Sequence, residues 1–131
     1  MIDRIGLLGL GIMGSAIAPN LLRAGFSVVG FDPDPARREI LHAAGGRSVE
    51  SPIAVAQSAD VIISLLPSAQ ALQDVIAGSD GLLALGQSGL ILIESSTLSL
   101  EEKLAANAVG APALMICLLY TSPSPRDRTR S

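Results

Sequence analysis

Residues Arg4–Gly14 read R-I-G-L-L-G-L-G-I-M-G and carry most of the information about the architecture. A short apolar run, Ile5–Leu8, leads directly into the glycine motif G-x-G-x-x-G, and a helical pattern follows. A second apolar run, Val28–Phe31, is followed by Asp32, which lies 21 residues after Gly11. Strand, glycine turn, helix, strand and acid in this order predict a dinucleotide-binding βαβ unit.

Each glycine of the motif has its own expected role. Gly9 permits a tight turn out of the strand, Gly11 leaves room for a pyrophosphate, and Gly14 lets the helix pack closely on the strand. The phosphates would lie at free N–H groups at the positive end of the helix. Asp32 would accept the ribose hydroxyls and repel a 2′-phosphate, which predicts NAD rather than NADP. Arg37 or Arg38 would be needed to hold the phosphate of NADP.

Composition excludes several classes of function. The chain has 131 residues, enough for one domain, and only 2% of them are aromatic, so the core must consist of small aliphatic side chains. The net charge is −3 without a basic cluster in residues 1–116, which argues against nucleic-acid binding. No apolar run reaches the roughly 18 residues of a membrane helix. The glycines of the first apolar run also disfavour a signal peptide. A single cysteine, Cys117, excludes an internal disulfide, and we expect a cytoplasmic protein.

Alternating strand and helix patterns predict an α/β fold, a Rossmann-type doubly wound parallel sheet that is incomplete at its C-terminal end. The expected strands are Arg4–Leu8, Ser27–Phe31, Arg47–Val49, Asp60–Pro67, Leu90–Glu94 and one that begins at Ala113. The expected helices are Ile12–Ala24, Pro35–Ala44, Ser51–Gln57, Ala69–Ala77 and Ser99–Val109, with one further turn at Leu82–Leu85.

The last residues break this alternation. Residues 117–131 contain the only Tyr and the only Cys and end in an arginine-rich stretch. Such a shift in composition marks a boundary. We therefore expect a partial dinucleotide-binding domain over residues 1–116 and a disordered or artefactual tail, similar to translated adapter sequence, over 117–131.

Three strand ends should meet at the carboxyl edge of the sheet, where such folds bind ligands. They are Gly9–Gly14, Leu65–Pro67 and Glu94–Thr97. Leu66 and Pro67 would lie along the nicotinamide, and Ser96 or Thr97 would donate a hydroxyl to cofactor or substrate. The alternative is that the proline only ends a strand and the hydroxyl residues only cap a helix.

No other residue type points to chemistry. His42 has no partner acid or serine nearby and reads as structural. Lys103, on a helix flank, reads as a solvated charge, and Cys117 has no metal-ligating neighbours. We therefore expect neither a catalytic acid or base nor a metal site.

Taken together, three ordered motifs over residues 1–116 resemble the β-hydroxyacid dehydrogenase family, which includes 3-hydroxyisobutyrate dehydrogenase and tartronate semialdehyde reductase. They are the glycine turn with Pro19–Leu22 and Ala24-Gly25, the run Ala59–Pro67, and Ile93–Thr97. The resemblance implies that ten residues contact the nicotinamide cofactor: Gly9, Leu10, Gly11, Ile12, Met13, Gly14, Asp32, Leu66, Pro67 and Thr97. Ser96 is a weaker substrate-binding candidate.

The family continues after a segment like Ala113–Ile116 with Asp-x-Pro-x-Ser-Gly, whereas this chain reads Cys117–Thr121. The resemblance implies that a longer protein supplies the catalytic lysine, a nearby asparagine and most of a homo-oligomer interface. We expect a truncated chain that is inactive alone.

The expected function is therefore the cofactor-binding part of an oxidoreductase that transfers a hydride between a small 3-hydroxy acid and NAD(P). The alternatives are a non-catalytic dinucleotide-binding module, or the same domain of a 6-phosphogluconate dehydrogenase-like or imine reductase-like enzyme.

Overall fold

The structure, a computed structural model, describes residues 2–86, 89–96, 98–110 and 114–118. The strands are β1 Arg4–Leu8, β2 Ser27–Phe31, β3 Arg47–Ser48, β4 Val61–Ser64, β5 Leu90–Glu94 and β6 Leu114–Leu118. The helices are α1 Ile12–Arg23, α2 Pro35–Ala43, α3 Pro52–Ser58, α4 Ala69–Ala77 and α5 Leu100–Gly110, with a 3-10 turn at Leu82–Leu85.

The strands form one parallel sheet in the order β3-β2-β1-β4-β5-β6. This is the strand order of a doubly wound dinucleotide-binding fold, and it confirms the predicted fold class. Strand β1 lies at the centre, where Ile5 is in register with Val28 on one side and Val61 on the other. The order reverses between β1 and β4, so a crevice is expected at the carboxyl ends of these two strands.

A hydrophobic core lies on each face of the sheet, because successive residues of a strand point to opposite faces. In β1, Leu7 packs with the cluster beneath α1 and α2, which also contains Ala18 and Leu41. Leu8 packs with the larger cluster on the other face, beneath α3, α4 and α5. Leucine, isoleucine, valine and alanine make up both clusters, as the scarcity of aromatic residues predicted.

Short polar side chains start most of the helices. Asp34 accepts a hydrogen bond from the Ala36 N–H, and Ser51 and Ser68 cap α3 and α4 in the same way. Because each cap satisfies an N–H that has no partner inside its helix, these residues fix where the helices begin. Helix α1 continues through Pro19 to Arg23, so the proline does not end it.

The sheet continues past residue 116. Strand β6 pairs with β5 up to the register of Glu94 with Leu118, so Cys117 and Leu118 belong to the ladder. Residues 119–131, the remainder of the expected tail, lie outside the described residues.

Candidate functional site

A cleft of about 720 Å³ lies at the carboxyl ends of the central strands. It contains the predicted residues Gly9, Gly11, Ile12, Met13, Gly14, Asp32, Leu66, Pro67 and Ser96. The structure therefore brings the three predicted strand ends together at one edge of the sheet. Thr97 lies outside the described residues.

Two glycines of the turn are required by close backbone contacts. Gly9 has a φ of +103°, and a Cβ there would lie 2.1 Å from the carbonyl oxygen of Leu65. A Cβ on Gly14 would lie 2.3 Å from the carbonyl oxygen of Gly9. Because backbone atoms cannot move aside as a flexible side chain can, these glycines hold the turn against β4 and α1 against the turn.

Gly11, by contrast, has no backbone atom against it, only the end of a flexible side chain. The nearest atom to a Cβ at this position is Nη1 of Arg37, at 3.3 Å, and the residue lines the cleft. Helix α1 begins at Ile12 without a side-chain cap, so its first N–H groups have no intrahelical partner. An anion in this part of the cleft would meet both the open glycine and the positive end of a helix.

Leu10 differs from its neighbours in the turn. Its side chain is 2% exposed and belongs to the core cluster beneath α1 and α2. Its N–H donates a hydrogen bond to Oδ2 of Asp32, at 2.9 Å. The Leu10 side chain thus belongs to the core and does not line the cleft, while its backbone N–H holds Asp32 in place.

The buried Asp32 carboxylate is held at the end of β2 by the backbone. Oδ2 accepts from the Leu10 N–H and Oδ1 accepts from the Asp34 N–H, both at 2.9 Å. Since a carboxylate has about four acceptor positions, two backbone bonds leave capacity for two hydroxyl donors from a ligand. The arrangement suits a ribose diol.

Arg37 lies between two carboxylates at this end of the cleft. Its Nη1 is 3.8 Å from Oδ2 of Asp32, and its Nε is 3.9 Å from Oδ2 of Asp34. The guanidinium therefore balances acids of its own chain. No sequence motif predicted this contact, although the helical position of Arg37, three residues after Asp34, is compatible with an i,i+3 pair.

The other end of the cleft joins the ends of β4 and β5. Oγ of Ser96 accepts a hydrogen bond from the Leu66 N–H, at 2.7 Å, and both residues are buried. Pro67 follows as an exposed residue of the cleft wall. The Ser96 oxygen therefore has a structural partner, and its hydroxyl hydrogen remains available to donate.

The prediction that Lys103 is a solvated charge is wrong. Its side chain is 1% exposed, and its Nζ lies 3.1 Å from Oε2 of the fully buried Glu94. Lys103 sits on the face of α5 that packs on the sheet, where a lysine is accepted only with a counter-ion. His42, in contrast, is exposed on α2 and does not line the cleft.

Several cleft residues escaped the sequence analysis because they come from connecting segments and not from strand ends. Two of them, Asp74 on α4 and Asp80 after it, are exposed carboxylates. Pro52, Ala71 and Val75 add an apolar wall from α3 and α4. Neither lysine nor histidine is among the described residues that line the cleft.

A second cavity, of about 510 Å³, lies at the opposite, amino-terminal edge of the strands. Arg4, Ser27 and Arg47 contribute to it, and none of the predicted site residues does. The guanidinium groups already have partners, since Arg4 pairs with Asp60 and Arg47 contacts the Ser58 hydroxyl.

Within the described ranges, no cluster of three or more metal-ligating side chains is present. Across the same ranges, no helix has the length and apolar character needed to cross a membrane.

Comparisons with known proteins agree with this geometry. Residues 4–112 match the family described as the NAD binding domain of 6-phosphogluconate dehydrogenase. Mouse mitochondrial 3-hydroxyisobutyrate dehydrogenase is 37% identical over 103 residues, which are 77% of this chain and 31% of that protein. The NAD-dependent L-serine dehydrogenase of Pseudomonas aeruginosa is 38% identical over 96 residues, 73% of this chain and 32% of that protein.

A solved structure shows the same fold. Mycobacterium tuberculosis 3-hydroxyisobutyrate dehydrogenase with L-serine superposes with a TM-score of 0.81 at 29% identity, covering 94% of this chain and 42% of that one. The present chain thus spans about a third of the length of the curated relatives it matches. The family match over most of the chain, together with the glycine turn and the strand order, shows that it belongs to the NAD-binding domain family of 6-phosphogluconate dehydrogenase, as its resemblance to β-hydroxyacid dehydrogenases predicted.

Proposed function

We propose that this chain is the cofactor-binding part of an oxidoreductase that transfers a hydride between a small 3-hydroxy acid and NAD. The substrates in the names of the two relatives, 3-hydroxyisobutyrate and L-serine, are both small acids with a hydroxyl on carbon 3. The observation that carries the cofactor assignment is the buried Asp32 carboxylate at the mouth of an open glycine turn.

The residues present fit a dinucleotide. Asp32 would hold the adenosine ribose through its two unused acceptor positions. The backbone from Gly11 to Gly14 would bind the pyrophosphate, because the helix start is uncapped and Gly11 has no side chain. Leu66, Pro67 and Ser96 would surround the nicotinamide, and Thr97 stays a predicted contact. Leu10 would act through its backbone.

Bound NAD would supply the hydride acceptor for the carbinol carbon of the substrate. The chain's own contribution is to hold the two reactants in place, since the cleft offers no lysine or histidine among its described residues. The only lysine of the chain, Lys103, is buried against Glu94. We propose that the proton of the substrate hydroxyl goes to a lysine outside this chain, as the family resemblance implies.

The charges around Asp32 favour NAD over NADP. A 2′-phosphate would approach a buried carboxylate that already accepts two N–H groups. Arg37 is shared between Asp32 and Asp34, so its charge is largely compensated before any phosphate arrives. The desolvated carboxylate therefore acts as the repulsive element that rejects the phosphorylated cofactor.

Titration of the chain with NADH and NADPH, followed by the fluorescence of the reduced nicotinamide, tests this assignment. We expect the chain to bind NADH at least about 10-fold more tightly than NADPH, and Asp32→Ala to reduce this difference in affinity. Glu39→Gln, a charge change at an exposed position of the same helix outside the cleft, is the matched control and should leave the ratio unchanged. Equal or tighter binding of NADPH to the wild-type chain contradicts the assignment.

The second candidate function is a dinucleotide-binding module without catalysis. The observation that favours it is the lack of a lysine or histidine among the described residues of the cleft. The same domain of a 6-phosphogluconate dehydrogenase-like or imine reductase-like enzyme is a further reading. The coding sequence of the parental locus separates them: Asp-x-Pro-x-Ser-Gly after Ile116 and a downstream lysine support the hydroxyacid dehydrogenase.

For the whole protein we propose a cytoplasmic homo-oligomer in which the cofactor domain includes the predicted residues 1–116 and continues to the end of β6 at Leu118. Size-exclusion chromatography of the protein expressed from the parental locus tests the oligomeric state.

A further inference from the structure

A buried ion pair lies directly beneath one end of the cleft. Glu94 is the last residue of β5, and Lys103 lies in the first part of α5. Their charged atoms, Oε2 and Nζ, are 3.1 Å apart, and the two side chains are 0% and 1% exposed. A lone carboxylate at this depth would be strongly disfavoured, and Lys103 is the counter-ion of Glu94 in the core.

The other oxygen of Glu94 organises the turn that follows β5. Oε1 accepts a hydrogen bond from the Ser96 N–H at 2.9 Å, and the Ser64 hydroxyl at the end of β4 lies 3.3 Å away. The carboxylate therefore fixes the backbone of Ser96 relative to both strands.

Ser96 passes this constraint on to the wall of the cleft. Its Oγ accepts the Leu66 N–H at 2.7 Å, which ties the loop after β5 to the loop after β4. Both Ser96 and Leu66 line the cleft, whereas Glu94 and Lys103 do not. A continuous chain of contacts thus runs from the lysine through Glu94 and Ser96 to Leu66.

Strand order shows which part of a dinucleotide this chain of contacts would serve. Asp32 follows β2, the glycine turn follows β1, and Ser96 follows β5, in the sheet order β2-β1-β4-β5. Three strand spacings separate Asp32 from Ser96, which is about 14 Å. With the adenosine ribose at Asp32 and the pyrophosphate at the turn, the nicotinamide falls at β4 and β5.

We infer that Lys103 is a positioning residue for the nicotinamide end of the cleft, acting through Glu94 and Ser96. The inference rests on the proposed binding of a dinucleotide. We expect Lys103 to matter more for the nicotinamide half of the cofactor than for the adenosine half, because within the described residues no hydrogen bond or ion pair of the chain Lys103–Glu94–Ser96–Leu66 is made to Asp32 or the glycine turn.

Calorimetric titration with NADH and with ADP-ribose, which lacks the nicotinamide, separates the two halves. Lys103→Met should lower the affinity for NADH about 10-fold, while the affinity for ADP-ribose should change less than about 3-fold. Adding Glu94→Gln should restore NADH affinity, since the amide oxygen still accepts the Ser96 N–H and no unpaired buried charge remains. Glu101→Gln, an exposed charge change on the same helix, is the control and should alter neither affinity.

Equal losses for both ligands in Lys103→Met, or no loss for either, would overturn the positioning role. If Lys103→Met does not fold, two double variants decide: Lys103→Met with Glu94→Gln should bind NADH as the wild type does, whereas Lys103→Met with Glu94→Leu, which removes the acceptor of the Ser96 N–H, should lose NADH selectively. Equal NADH affinity in the two double variants contradicts the route through Glu94. A wild-type chain that binds NADH but not ADP-ribose also contradicts it. Binding of neither ligand to the folded wild-type chain overturns the proposed function itself, and this inference with it.

Discussion

The three glycines of the turn have different neighbours, so some of them are required for folding and another for ligand binding. Gly9 faces the Leu65 carbonyl and Gly14 faces the Gly9 carbonyl, both at distances that exclude a side chain. Gly11 faces the cleft and the movable Arg37 guanidinium. Substitutions at the first two positions therefore disturb the fold, whereas Gly11 can be changed to test the ligand site alone.

Gly11→Val should weaken NADH binding by about 10-fold or more, because a branched side chain would occupy the place of the pyrophosphate. Far-UV circular dichroism and the melting temperature should stay close to those of the parent, since the backbone φ of Gly11 is −72° and any residue can adopt it. NADH fluorescence measures the binding.

Ala16→Val is the matched control, because it adds a similar side chain to an exposed position of the same helix, outside the cleft. It should bind NADH as the parent does. Unchanged affinity in Gly11→Val would remove the glycine turn from the binding site.

Some residues of the site could be predicted from the sequence and others could not. Gly9, Gly11, Gly14 and Asp32 were predictable because the motif has a fixed spacing and each residue type has a physical role. The partner of Lys103 was not predictable, because the helical pattern of α5 is weakly amphipathic and Glu94 lies on another element.

Helix α5, which carries Lys103, is stabilised at its N-terminus by side-chain hydrogen bonds. Ser99 and Glu102 form a capping box: the Ser99 N–H donates to Oε1 of Glu102, and the Glu102 N–H donates to Oγ of Ser99, each at 3.1 Å. The reciprocal bonds satisfy two donors at the start of the helix.

Ser99→Ala should lower the free energy of unfolding by about 1 kcal/mol, because the Glu102 N–H loses its acceptor. Urea denaturation followed by circular dichroism measures the change. Ser99→Asp, which retains an acceptor at the cap, should stay close to the parent. A full loss of stability in both variants would show that the cap is not the cause.

Strands β1 and β4 are joined at their amino ends by Asp60. Oδ2 accepts the Asp3 and Arg4 N–H groups at 3.0 Å, and Oδ1 pairs with the Arg4 guanidinium at 2.9 Å. The hydrogen bond from the Arg4 side chain, helped by the two backbone N–H groups, holds the pKa of Asp60 well below its ordinary value of 3.8.

A carboxyl whose pKa is lower in the folded chain than in the unfolded chain stabilises the fold at any pH above its unfolded-state pKa. This stabilisation is lost as the pH falls through the folded-state pKa. Asp60→Asn should therefore melt below the parent at pH 7, with a gap that shrinks as the pH drops below about 4. Because the pair is exposed, the effect should be small and weaker in high salt. A gap that is constant between pH 7 and pH 3 would contradict the ionic origin.

At the level of elements, the sequence predicted nearly every strand and helix, since caps such as Asp34 and Ser51 mark local boundaries. The extension of β6 to Leu118 was missed because its residues follow a shift in composition, while the structure aligns them with β5. Pairing between distant strands is invisible to a local pattern.

The complete fold brings together site residues that are far apart in the sequence. The predicted strand ends meet because the sheet order places β2, β1, β4 and β5 side by side. The apolar wall of the cleft, including Pro52 and Val75, comes from helices that cross the larger core, and only the assembled fold shows it.

With NAD and a panel of 3-hydroxyisobutyrate, glycerate and threonate, we expect the chain alone to form no NADH. The reason is that its one lysine is buried in an ion pair and cannot reach a substrate proton. Absorbance of NADH over time is the measurement. NADH formation that disappears in Gly11→Val would show that this chain contains its own catalytic base.

Amide chemical-shift mapping during titration of the isotope-labelled chain with NAD tests most directly whether this cleft is a cofactor site. We expect the largest changes at the N–H groups of Gly11–Gly14, Leu66 and Ser96, at the carboxyl ends of the strands. Shifts confined to the opposite edge, around Gly46 and Arg47, or no shifts at millimolar NAD, would contradict it.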